Sequence, residues 1–202
     1  EFDAPSQQWT YANLTGNMIP ARGYIVRAPS NYPVSPAPPI TFSATFTGIP
    51  NSGTITVPVS AGATSMNLLG NPYPSALSAN AFLVDPANAA TVGGTIYLWT
   101  HNTGPAAIPG EATYNYTAND FVIYNLVGGV GTGRVNGEPI YAPNNYNRPN
   151  GKIAMCQGFI TRGINSTGVA TFTNSMRDYS LDAPSDVDNQ QFFRTSGNNS
   201  VS

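Results

Sequence analysis

Ile40-Thr-Phe-Ser-Ala-Thr-Phe-Thr-Gly-Ile-Pro-Asn-Ser-Gly-Thr-Ile-Thr-Val-Pro-Val59 is the stretch that decides the fold. Read with period two, Ile40, Phe42, Ala44 and Phe46 share one face, and Thr41, Ser43, Thr45 and Thr47 share the other. That alternation predicts a strand with one buried face. Gly48-Ile-Pro-Asn-Ser-Gly53 supplies turn chemistry, and the chain then alternates again with Ile55, Val57 and Val59 pointing inward. Pro58 points outward and removes a ladder donor, which predicts an edge strand. Two half-apolar strands in succession require a second layer to cover them.

The composition extends this pattern to the whole chain. With 202 residues and 41% apolar content, one substantial core can form without a disulfide or metal staple, so a single domain is expected over residues 1–194, with 195–202 as a tail or linker. Gly 20, Pro 18, many Thr, Asn and Ser, and only 9% charged residues leave few helix formers. Further strands are predicted at 23–27, 95–101, 121–126, 152–162 and 169–174. One short helix is predicted after Pro74-Ser75, with Ser75 as N-cap, Leu77, Ala81 and Val84 at helical spacing, and Asp85-Pro86 as the stop. The expected fold is all-β, a β-sandwich of jelly-roll type with one short helix. Residues 28–39, 102–119 and 127–151, rich in Pro, Gly and Asn, are expected as long loops, where β-scaffolds often place binding residues.

The chain also echoes itself. Arg22-Gly-Tyr-Ile-Val-Arg27 returns as Gln157-Gly-Phe-Ile-Thr-Arg162, and Ala44-Thr-Phe-Thr-Gly48 returns as Ala170-Thr-Phe-Thr-Asn174. Either two matching strand pairs lie one in each half of a sandwich, or simple β-patterns have converged on Thr and Phe.

Charge and motifs narrow the function classes. A net charge of −2, from seven Arg, one Lys and ten scattered carboxylates, gives no basic stripe for a phosphate backbone, so nucleic acid is not an expected partner. No apolar run is long enough to span a membrane, and Glu1-Phe-Asp-Ala-Pro5 has none of the regions of a signal peptide. The sequence reads as a piece of a longer chain. Cys156, inside Ile153-Ala-Met-Cys-Gln-Gly-Phe-Ile160, is expected as a buried small hydrophobe. Gly128-Gly-Val-Gly-Thr-Gly133 lacks the Lys and the strand-to-helix context of a phosphate loop and is expected as a flexible turn.

Catalytic constellations are sparse. His101 is the sole histidine and has no Cys or Asp at ligand spacing. A glycosidase pair would have to come from Asp85, Glu111, Asp120 and Glu138. A hydrolase cleft gathers several polar and charged groups, of which a chain with 9% charged residues has few to offer, and the chain is not expected to be an enzyme. Asp182, Asp186 and Asp188 place carboxylates at spacings open to Ca²⁺ but lack the Gly and distal Glu of an EF-hand loop, so a solvated linker is the competing reading. Cofactor need is otherwise not indicated.

Aromatic residues carry the binding expectation. On the strand at 95–101, Tyr97, Trp99 and His101 share one face, and Ile96 and Leu98 the other. If the Ile-Leu face is the core, Tyr97 and Trp99 form a stacking platform, to which Tyr114, Tyr116, Tyr141 and Tyr146 in Asn-rich loops add contacts for polysaccharide or a cell-surface glycan. Against this, β-sandwiches commonly bury their Trp, which favours a core position for Trp99 itself.

Several segments together resemble a known family. Asn67-Leu-Leu-Gly-Asn-Pro-Tyr-Pro-Ser75 with the following helix, Ile96-Tyr-Leu-Trp-Thr-His-Asn102, Tyr124-Asn125, Gln157-Gly-Phe-Ile160 and Thr171-Phe-Thr-Asn-Ser-Met-Arg177 form an ordered series. It is similar to a module near the C-termini of large secreted Bacteroidota proteins, notably flavobacterial ones, exported by the type IX secretion system. The resemblance covers roughly residues 23–194. It implies a β-sandwich on an extracellular or outer-surface protein, beside adhesins or polysaccharide-degrading enzymes, with neighbouring domains of a longer chain as partners. It carries over no catalytic residues, and the sorting signal that ends such proteins is not in this sequence. On residues alone, Gly-Asn-Pro-Tyr-Pro-Ser reads as a rigid corner, with Gly70 in a conformation closed to other residues and both prolines fixing φ. Adhesion or glycan binding is the leading expectation, with a structural spacer beside a secretion signal as its rival and a glycan-active enzyme third.

Overall fold

A computed structural model describes residues 1–12, 16–26, 43, 45, 47–62, 65–99, 121–130, 149–165 and 167–177. Most of the strand expected at 40–47, the loop at 102–119, residues 28–39 and 131–148, and the tail at 195–202 lie outside these residues. The elements in chain order are β1 (Phe2–Asp3), β2 (Gln8–Trp9), β3 (Ile55–Pro58), β4 (Met66–Gly70), β5 (Leu77–Ser78), α1 (Ala79–Val84), α2 (Pro86–Ala89), β6 (Val92–Trp99), β7 (Phe121–Asn125), β8 (Gly128–Val130), β9 (Lys152–Ile153), β10 (Gly158–Gly163) and β11 (Val169–Phe172). The fold is all-β, with strands in several sheets and two short helices.

The largest sheet is five-stranded and antiparallel, in the order β4-β10-β6-β7-β8. Its inner face presents Leu69, Phe159, Ile96, Leu98, Val122 and Tyr124, all buried. β3 and β11 pair antiparallel beside it and add Val57, Val59, Ala170 and Phe172 to the same apolar cluster. As the alternation requires, Val57 and Val59 point inward while Pro58 is exposed.

The helical segment differs from expectation in a physically instructive way. Ser78, not Ser75, caps α1, its hydroxyl accepting the Ala81 N–H at 3.2 Å. Leu77 belongs to β5, paired with Ile153, and Val84 is exposed. Asp85-Pro86 ends one helix and starts another, because the Asp85 carboxylate accepts the Ala87 and Asn88 N–H groups while Pro86 occupies the first turn, where no donor is needed. A six-residue helix has little stability of its own. Phe82 anchors it, with ring centroids 5.4 Å from Phe159 of β10 and 5.1 Å from Phe172 of β11.

Four other expectations are corrected. The 152–162 strand breaks into β9 and β10 at a tight turn, where the Gln157 N–H donates to the Ala154 carbonyl at 3.1 Å and the Ala154 N–H to Gln157 Oε1 at 2.8 Å. Cys156 therefore sits exposed at φ +61° instead of in the core. The first glycines of the 128–133 run form β8. The first pair of repeated segments does not divide between two layers: Ala21 to Gly23 borders one side of β4, through Gly23 N–H to Leu68 O and Gly70 N–H to Ala21 O, and β10 borders the other, while Ala44 and Phe46 of the second pair lie outside the described residues.

The Asn-Pro-Tyr-Pro corner is rigid for a reason the sequence does not disclose. Asn71 Oδ1 accepts the Tyr73 N–H at 3.0 Å, and Nδ2 donates to the carbonyls of Ser75, Ile153 and Ala154 at 2.8, 3.2 and 3.0 Å. One buried amide thus fastens the turn to β9. Gly70 has no positive φ; a Cβ there would press on the Arg22 carbonyl at 3.2 Å, so close approach explains the glycine. Ser75 Oγ accepts Arg177 Nε at 3.0 Å, and Tyr73 is buried with its hydroxyl on the Gly53 carbonyl at 2.7 Å.

Candidate functional site

Because side chains alternate along each strand, burial of Leu69, Phe159, Ile96, Leu98, Val122 and Tyr124 turns their neighbours to the opposite face. The strand registers then align those neighbours. Leu68 stands opposite Ile160, Ile160 opposite Tyr97, Tyr97 opposite Ile123, and Ile123 opposite Val130. One continuous row of apolar residues crosses all five strands. At the usual strand spacing it spans about 19 Å, room for several units of a linear ligand. Beside it, Trp99 stands opposite Phe121, with ring centroids 5.1 Å apart and planes at 78°.

Exposure separates this face from the core. Ile96 is 0% exposed and Leu98 3%, while Trp99 is 36%, Ile123 37% and Val130 47%. The core position expected for Trp99 is overturned: β6 gives Ile96 and Leu98 to the core, so Trp99 must project outward. Tyr97, half-buried, lies on the same side. Polar groups on this face are few, namely Thr95 paired with Asn125 and the exposed Arg162 paired with Met66.

Of the residues expected at a site, the structure brings Tyr97 and Trp99 together. His101, Tyr114, Tyr116, Tyr141 and Tyr146 lie outside the described residues, as do Asp182, Asp186 and Asp188. Sequence reading missed Phe121, Ile160, Ile123, Leu68 and Val130. The signal was present as period two in 121–125 and 158–163, but it needs the register to become a surface.

The described carboxylates have structural work. Glu1 bonds Arg22 at 3.2 Å, Asp3 accepts from Ser6, and Asp85 caps α2. Among the described residues no group of three or more His, Cys, Asp or Glu side chains could hold a metal ion, and no helix is long and apolar enough to cross a membrane.

No curated protein and no solved structure matches this chain. Residues 3–202 match the family described as a domain of unknown function, DUF8693, and the chain belongs to that family.

Proposed function

We propose that this member of the DUF8693 family is a non-catalytic module of a secreted or cell-surface bacterial protein, adhering to glycan through the open face of its five-stranded sheet. The observation that carries this reading is the Tyr97, Trp99 and Phe121 group lying on the side away from the core. Sugar rings present flat C–H faces that pack on aromatic and aliphatic surfaces, while their hydroxyls take hydrogen bonds from neighbouring polar groups. A face with Arg162 as its single charge among the described residues suits a neutral polysaccharide better than a polyanion. The finer architecture in this proposal is a β-sandwich of jelly-roll type, supported by the shared core between the large sheet and the β3–β11 pair. Placement at the outer surface rests on the resemblance to type IX-exported proteins.

A second reading, a structural spacer, draws support from the aliphatic share of the row, since Leu68, Ile160, Ile123 and Val130 equally suit packing against a neighbouring domain. Retention of the chain on a panel of insoluble and immobilised polysaccharides, with and without Ca²⁺, separates the two. Adhesion predicts retention by at least one neutral polysaccharide. No retention by any member of the panel leaves the spacer.

A further inference from the structure

We propose that Asn150 is a site of spontaneous covalent modification, converting to aspartate or isoaspartate through a succinimide formed with Gly151. Asn150 is exposed and lines a cleft of about 340 Å³ with Tyr124, Gly128, Gly129 and Pro149. Its Oδ1 accepts the Lys152 N–H at 3.1 Å. That bond folds the side chain back over the Gly151 peptide and draws electron density from Cγ, which makes the carbon a better electrophile. Gly151 supplies the nucleophile. It is buried against the Tyr124 hydroxyl with room for no larger residue, it sits at φ +86°, and its N–H donates no hydrogen bond among the described residues. Its carbonyl, by contrast, is engaged, accepting the Ala79 N–H at 2.8 Å.

The reaction needs only water. The Gly151 nitrogen, on losing its proton, attacks Cγ of Asn150 and forms the new C–N bond. The Cγ–Nδ2 bond breaks, and ammonia leaves with that proton. Water then opens the five-membered imide at one carbonyl or the other, giving aspartate or a main chain lengthened through the former side chain. No electrons are transferred.

Among the described residues Asn150 is the one asparagine followed by glycine. The buried amides Asn67, Asn71 and Asn88 are each held through both the oxygen and the nitrogen of the side chain, and are followed by Leu68, Pro72 and Ala89. At Asn150 the product has a structural consequence. A negative charge appears on the rim of the cleft, and the isoaspartate form displaces Gly151 and Lys152, which hold the start of α1 and the β5–β9 register.

The test is incubation of the whole chain at mildly alkaline pH, folded in buffer and unfolded in urea, followed by peptide mass mapping and isoaspartate detection. The expected result is loss of ammonia at residue 150, faster at higher pH, with the folded chain reacting at least as fast as the unfolded one. Asn150→Gln, whose longer side chain would have to close a six-membered ring, is expected to lose the conversion. A folded rate below the unfolded rate, or an unchanged mass gain at this position in Asn150→Gln, overturns the proposal.

Discussion

The two faces of the five-stranded sheet are both apolar, yet only one is core. The inner face sets Leu69, Phe159, Ile96, Leu98, Val122 and Tyr124 against α1 and the β3–β11 pair. The outer face sets Leu68, Ile160, Tyr97, Ile123, Val130, Trp99 and Phe121 in register across the same strands. Apolar content does not distinguish them. What does is the set of groups that commits the inner face to a covering layer: a three-ring phenylalanine cluster drawn from α1, β10 and β11, and buried amides that tie separate segments together. Asn67 on β4 exchanges two hydrogen bonds with the backbone of Ser60, both at 2.8 Å. Asn88 does the same for Thr171, at 2.7 and 2.8 Å, and also donates to the Phe82 carbonyl at 3.0 Å. Each amide acts as a one-residue strand partner. An apolar face with such ties has a fixed neighbour.

The largest effect is expected where the ties and the rings converge. Phe82→Ala removes a fully buried ring that touches Phe159 and Phe172 and is the main anchor of α1. It is expected to cost about 3–5 kcal/mol in urea unfolding, the usual cost of deleting a buried aromatic side chain. A cost below about 1 kcal/mol would mean that the inner face is not the centre of the core.

Asn88→Ala tests the polar half of the distinction. It strands the Thr171 N–H and carbonyl and the Phe82 carbonyl, at a site that is 0% exposed. An expected loss of about 1–3 kcal/mol follows from leaving buried groups unpaired. Asn88→Asp restores the acceptor for Thr171 N–H but not the donor, so it should recover little. Full stability in either variant would remove the argument that amides mark the covered face.

Part of this difference between the faces is legible in the sequence. Alternation fixed the inward residues of β3 and the opposed faces of β6, because each strand's period is local. The helix was legible as a helix but not in its boundaries: Ser75 and Ser78 are equally good caps by type, and only the β5–β9 pairing decides that Ser78 starts the turn. Cys156 was misplaced because Ile153 to Ile160 reads as one apolar run, whereas Gln157 folds it into a turn through its own side chain. For the candidate site, Tyr97 and Trp99 were legible as a pair. Their partners were not, since Ile160 and Phe121 are far from Tyr97 and Trp99 in sequence and come to stand opposite them only through register. The role of Trp99 was misjudged for the same reason, as a general tendency to bury Trp yields to the stronger demand of Ile96 and Leu98.

The smallest effect on stability and the most selective effect on function should come from the outer face. Trp99 is about a third exposed, and its packing includes an edge-on contact with Phe121. Truncation to alanine is therefore expected to cost only about 1 kcal/mol, in the range of a single aromatic pair. If the outer face holds glycan, Trp99→Ala should lose retention by whichever polysaccharide holds the parent chain, while Trp99→Phe, which keeps a flat ring opposite Phe121, retains part of it. Unfolding curves and retention measured on the same preparations keep the two effects separate. A Trp99→Ala chain that loses as much stability as Phe82→Ala would erase the difference between the faces. One that stays folded and binds as the parent does would move adhesion to another surface, with the contrast between the faces left intact.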